Sequence, residues 1–138
     1  MTDHGLQPLL EWYARLTPAS LAQIGDYYVA DAHFRDPFND VRGLASIRAI
    51  FDHMFAVTQA PHFVFHEQLQ QGERAFVTWR FDCLIRHRLW QIDGSTYLRF
   101  GADGRVVEHR DYWDAAAELY EKLPLIGSVL RLLKRSMR

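Results

Sequence analysis

The chain has one cysteine, Cys83, so no internal disulfide can form. Sixteen Lys and Arg nearly cancel seventeen Asp and Glu, so there is no overall field to attract a polyanion, and nucleic acid is not an expected partner. No uninterrupted apolar run is long enough to span a bilayer. The opening MTDHGLQPLLEWYARL lacks both the basic stretch followed by an apolar run and the cleavage site of a secretory leader, which makes the cytoplasm the expected compartment. Internal repeats, low-complexity tracts, a Gly-rich phosphate loop and a nucleophile elbow are all missing. His62 and His66 share a strand face, but no third ligand stands at metal spacing, so neither a metal nor an organic cofactor is expected.

What is present is aromatic. Nine Phe, six Tyr and four Trp in 138 residues exceed what a polar interaction module needs and suggest a core with a cavity or an apolar interface. That length is one domain, 1–138, able to bury a continuous core.

Leu6, Leu9, Leu10, Tyr13 and Leu16 recur at helical spacing, and Thr17-Pro18-Ala19-Ser20 resets the chain, predicting helices over 5–16 and 18–29. Residues 32–38 read as a short strand stopped by Pro37, with a loop through Arg42-Gly43. Leu44, Ile47, Ile50, Phe51, Met54 and Phe55 predict a third helix over 44–58. The period then becomes two, giving strands at 62–66, 75–85, 89–100 and 106–113. The short links Gln71-Gly72-Glu73 and Asp103-Gly104 make the sheet antiparallel. Gly94, inside a strand pattern, is read as a bulge that bends the sheet. After Ala115 the helical period returns, breaks at Pro124 and runs into the basic amphipathic end of the chain, 121–138, which either packs on the domain or touches an anionic membrane surface.

Alternation sorts the strand around residue 80 into an apolar face, Val77, Trp79, Phe81, Cys83 and Ile85, and a face carrying Thr78, Arg80, Asp82, Leu84 and Arg86. If a second subunit covers the apolar face, Arg80 and Asp82 line a cavity; if helices cover it, they are a solvated pair. On the last strand Asp111 stands with Val107, His109 and Trp113 and is a candidate buried carboxylate, or else an edge partner of Arg110 or Arg99. Asp36, between Phe34 and Phe38, is either a third acid at a pocket mouth or an Asx turn before Pro37. Acids in unlike surroundings can divide the general acid and general base roles.

The element order, with HFRDPFNDVRG, GADGRVVEHRDYWD and their separation, resembles the nuclear transport factor 2-like superfamily over residues 6–120, and within it the SnoaL-like branch of ketosteroid isomerases, polyketide cyclases and limonene epoxide hydrolases. The fold this implies is α+β: a cone-shaped curved antiparallel β-sheet wrapped around N-terminal helices, with a C-terminal helical tail. Likeness to the isomerases puts Asp36 at the position of the proton-shuttling base, Trp12 beside Tyr13 at that of the oxyanion donor, and Thr96 at that of the protonated acid. Likeness to the epoxide hydrolases assigns Arg80, Asp82 and Asp111 to an Asp-Arg-Asp triad, with Phe34 and Asp36 near its water.

The resemblance implies an enzyme without metal or cofactor, acting on a lipophilic steroid, terpenoid or polyketide by isomerisation, cyclisation or epoxide hydrolysis. Trp12, Tyr13, Phe34, Phe51, Phe55, Thr96 and Trp113 are its expected substrate contacts. The other class of function open at this point is a non-catalytic binding or dimerising domain. A homodimer through the apolar sheet face suits both.

Overall fold

In the computed structural model, which describes residues 5–114, the chain begins with helix α1, Leu6–Ala14. Its helical spacing buries Leu6, Leu9, Leu10, Trp12 and Tyr13 on one side. Thr17 and Ser20 then cap each other, each backbone N–H donating to the other's hydroxyl at 2.9 and 3.0 Å, and start a 3-10 turn, Ser20–Gln23. A single helical turn α2, Ile24–Tyr27, follows.

The helix expected to reach residue 29 therefore stops short, and strand β1 runs from Tyr28 to Arg35. Tyr28 aligns with Val106 of a distant strand and is completely buried, so tertiary pairing overrides the local helical pattern. Strand β2, Asp40–Arg42, pairs back on β1 where the sequence suggested only a loop. Helix α3 spans Leu44–Val57, close to expectation. Strand β3, Gln59–Gln71, is far longer than 62–66, because its polar second half still pairs with β4, Arg74–Ile85, while facing water. Strands β5, Arg88–Phe100, and β6, Val106–Tyr112, complete a six-stranded sheet ordered β2-β1-β6-β5-β4-β3.

Every pairing is antiparallel except β1 with β6, which is parallel. The hairpin argument does not reach these two strands, since most of the chain separates them. Gly94 is not a bulge either: the β4–β5 register runs through it unbroken. The indole of Trp79 lies over Gly94, and a Cβ there would sit 2.5 Å from the ring, so the missing side chain is space for Trp79. The register shifts fall instead in β1, between Tyr28 and His33, in β3, at Gln59/His62 and Phe65/Gln68, and at Arg99/Phe100.

The core lies between the sheet's concave face and the helices. Leu9, Leu21 and Ile47 are at most 1% exposed, and burying each contributes about 1.5–3 kcal/mol. The apolar face of β4, from Val77 to Ile85, lines the cavity under the helices. Residues 121–138, with the expected basic helix, lie outside the described residues. No helix among the described residues is long and apolar enough to cross a membrane.

Candidate functional site

The concave face of the sheet, α1 and α3 enclose a cavity of about 720 Å³. Its walls are mostly rings and aliphatic chains, among them Phe34, Phe51, Phe63, Trp79, Phe81 and Trp90. His53, Thr58, Arg86 and Arg88 also line it, and five further polar side chains enter it: Tyr13, Asp36, Thr96, His109 and Asp111.

Four of those five belong to or adjoin one hydrogen-bonded chain across the cavity floor. Strand alternation sets His109 and Asp111 on the same side of β6, where Nε2 of His109 lies 2.7 Å from Oδ1 of Asp111. The same Oδ1 meets the hydroxyl of Thr96, its cross-strand neighbour, at 2.5 Å. Thr96 Oγ1 in turn accepts the indole N–H of Trp79 at 2.7 Å. In the other direction Nδ1 of His109 lies 2.7 Å from the hydroxyl of Tyr28, which is hydrogen-bonded to the hydroxyl of Tyr13.

With the Asp111 carboxylate charged and the imidazole neutral, the donor inventory fixes the direction of every link. Trp79 can only donate, so Thr96 donates to Asp111. His109 donates from Nε2 to Asp111, so Nδ1 accepts from Tyr28, and Tyr28 accepts from Tyr13. All the donors point toward Asp111, and both bonds to it end on Oδ1. Oδ2 has no hydrogen-bond partner among the described residues.

Burial raises Tyr13 above the ordinary phenol range, an effect partly offset by the Tyr28 hydrogen bond and reinforced by the charge of Asp111. Tyr28 is likewise raised well above that range, by burial, by Tyr13 and by Asp111. Both phenols therefore keep their protons at neutral pH and act as donors.

Asp36 stands at the rim, lining both the cavity and an adjoining surface cleft shared with Arg110 and Trp113. Its Oδ1 accepts the backbone N–H groups of Phe38 and Asn39 at 2.8 and 2.7 Å, so the Asx turn before Pro37 is present and the residue still borders the cavity. Burial raises its carboxyl above the ordinary range, against the Phe38 and Asn39 hydrogen bonds, and the nearby charge of Asp111 adds to the rise.

The structure thus brings Tyr13, Phe34, Asp36, Phe51, Thr96, Asp111 and Trp113 to one cavity. It leaves out Trp12 and Phe55, which pack in the core. Trp12 stacks on Tyr27 and donates to the carbonyl of Ser20 at 3.1 Å. It also leaves out Arg80 and Asp82. They lie on the opposite face of β4, joined by two hydrogen bonds of 2.9 and 3.1 Å, and do not meet Asp111. An Asp-Arg-Asp triad is therefore not assembled.

Three participants were not singled out from the sequence. His109 was visible as the same-face neighbour of Asp111. Trp79 was visible as part of an apolar strand face. Tyr28 gave no signal, lying in an apparently helical stretch. Cys83 is a cavity wall residue whose thiol is pushed up to about 11 by burial and by Asp82, too high for a reactive thiolate. Among the described residues no cluster of three or more His, Cys, Asp or Glu could hold a metal ion.

The profile of the SnoaL-like domain family matches residues 9–109. A comparison of the sequence with curated proteins gives no match. Among solved structures, an NTF2-like protein of unknown function from Burkholderia pseudomallei superposes with a TM-score of 0.71 at 19% identity, over 83% of this chain and 93% of that one. An LEH-like epoxide hydrolase from M. tuberculosis gives 0.70 at 15% identity, over 91% and 92%. A hypothetical protein with a ketosteroid isomerase-like fold from Catenulispora acidiphila, in complex with trimethylamine, gives 0.70 at 15% identity, over 84% and 92%. At such identities the likeness establishes a common fold.

Proposed function

This chain belongs to the SnoaL-like domain family, and we propose that it is a small-molecule enzyme that moves protons on an apolar, ring-bearing carbonyl substrate, with Asp111 as the base. The observation that carries this reading is the Asp111 carboxylate. One of its oxygens is held by His109 and Thr96, and the other has no hydrogen-bond partner among the described residues, in a cavity walled mostly by rings and aliphatic chains. A carboxylate held in place and backed by a polar network is oriented for proton transfer without a metal or cofactor.

In this reading Oδ2 of Asp111 takes a proton from the carbon beside the carbonyl. The enolate oxygen is stabilised by the Tyr13 hydroxyl, which lines the cavity and turns its one proton from Tyr28 to the substrate. Returning the proton to a different carbon gives isomerisation. Attack of the enolate carbon on a second carbonyl of the same molecule gives cyclisation. His109 and Thr96 act as positioning residues for the base. Epoxide hydrolysis, the activity named for the M. tuberculosis relative, is the weaker reading, because Arg80 and Asp82 are tied to each other away from the cavity.

A thermal-shift comparison of apolar phenols, ring ketones and epoxides tests the reading. A ligand bound only by the folded state stabilises by RT ln(1 + [L]/Kd), about 2.7 kcal/mol at a hundredfold excess over Kd. Phenols and ketones are expected to stabilise the protein, with the phenol response altered by Asp111→Asn and untouched by Asp82→Asn. Stabilisation by epoxides alone, lost in Asp82→Asn, would overturn the proton-transfer reading; no response to any class would favour a non-catalytic domain.

A further inference from the structure

We infer that the open end of the cavity is a subsite for the acidic head group of an elongated amphiphile, held by Arg86, Arg88 and His53. The inference rests on reading the cavity as the substrate site and adds the chemical class of what enters it.

Strands β4 and β5 meet in a two-residue reversal, with Ile85 opposite Arg88 and the backbone of Arg86 and His87 left-handed at φ of 52° and 67°. Neither residue is Gly or Asn, the types that enter this region at least cost. Arg86 and Arg88 both line the cavity and are exposed, and neither side chain has an ion pair or hydrogen bond among the described residues. Two guanidinium groups one residue apart repel each other, and an anion between them lowers that repulsion.

A second observation comes from the facing wall. His53, on α3, also lines the cavity, and its Nε2 is buried with no hydrogen-bond partner. A buried, unpaired polar atom costs free energy that a bound polar group can recover. The end of α3 belongs to the same end of the cone as the reversal, because Gln59, two residues beyond the helix, aligns with Leu84 next to it.

The acids at this end are otherwise engaged. Asp82 is bound by Arg80, Asp36 is held in its turn, and Asp52 lies 3.9 Å from Arg48. Among the described residues, Arg86 and Arg88 are thus the cavity-lining cations without an acid partner. Between the mouth and Asp111 the walls are Phe81, Cys83, Trp90 and Ile92. Thr96, opposite Asp111, lies eight residues along β5 from Arg88, on the order of 25 Å of strand contour and less in a straight line because the sheet bends. A molecule reaching both ends is long, apolar in the middle and acidic at the mouth.

The test compares tetradecanoate, its methyl ester and tetradecyltrimethylammonium below their micelle concentrations, followed by the fluorescence of Trp90 and Trp113. The acid is expected to bind roughly five- to tenfold tighter than the ester at low salt, the size of two partly screened ion pairs. In Arg86→Asn/Arg88→Gln, where Asn tolerates the left-handed backbone, that advantage should vanish while the ester binds as before. Arg88→Glu should shift preference toward the ammonium. His53→Leu should lower the acid's advantage in part. Equal binding of acid and ester by the native protein, an advantage that survives the double substitution, or no binding of any of the three would overturn the proposal. The readout is binding, so a failure of head-group selectivity is distinct from a failure of proton-transfer chemistry.

Discussion

His109 and Asp111 are joined side chain to side chain at 2.7 Å although only one residue separates them on β6. Residues two apart on a strand point the same way, so the pair is built by the strand itself and needs no loop to bring it together. Everything else in the network attaches to this pair: Tyr28 and Tyr13 on the imidazole, Thr96 and Trp79 on the carboxylate.

The direction of the chain makes its members unequal. Tyr28→Phe leaves Nδ1 of His109 without a donor and the Tyr13 hydroxyl without an acceptor, both buried, and is expected to cost about 1–3 kcal/mol. Tyr13→Phe leaves Tyr28 still donating to His109 and should cost less. Urea unfolding of the two variants checks the order; equal losses would contradict the assigned direction.

Gly94→Ala puts a methyl group 2.5 Å from the Trp79 ring. The indole must move, stretching its bond to Thr96, and overpacking of this kind costs roughly 1–3 kcal/mol. Combining it with Trp79→Phe removes the clash, so the double variant should lose less stability than the sum of the singles. Additive losses would show that Gly94 is needed for some other reason.

Asp36 contributes a pH dependence of definite sign. Its carboxyl is raised in the folded state from the ordinary value of 3.8. As pH climbs, the unfolded chain releases this proton first, so the folded state binds more protons in between and its stability falls with rising pH. The fall begins near the ordinary carboxyl value and ends once pH passes the raised folded value. Asp36→Asn keeps an oxygen for the Phe38 and Asn39 N–H groups and should remove this slope, an outcome read from urea midpoints across the acid range.

Arg80 and Asp82 form a partly exposed pair, with side chains 38% and 20% accessible. Such a pair contributes at most about 1 kcal/mol. Arg80→Gln and Asp82→Asn are expected to leave ligand binding in the cavity unchanged, measured by thermal shift.

The sequence carried the fold and part of the site. The period-two pattern put Asp111, His109 and Trp113 on one face, and the aromatic excess suggested either a core with a cavity or an apolar interface. Alternation also separated Trp79 and Phe81 from Arg80 and Asp82, but it does not say which face looks inward; that depends on the helices packed against the sheet. Tyr28 was hidden because the residues before it carry helical spacing, and only the long-range alignment with Val106 makes it strand. Gly94 looked like a bend because a glycine's role as space for a neighbour's ring is visible only when the facing residue is known.

The most direct test of the central claim is deuterium incorporation from heavy water into the carbon beside the carbonyl of a bound apolar ring ketone, followed by NMR for the native protein, Asp111→Asn and Asp82→Asn. The account predicts exchange catalysed by the native protein and by Asp82→Asn, and lowered by Asp111→Asn at least 100-fold, on the order of a general base's contribution. Exchange that persists at the native rate in Asp111→Asn would contradict it.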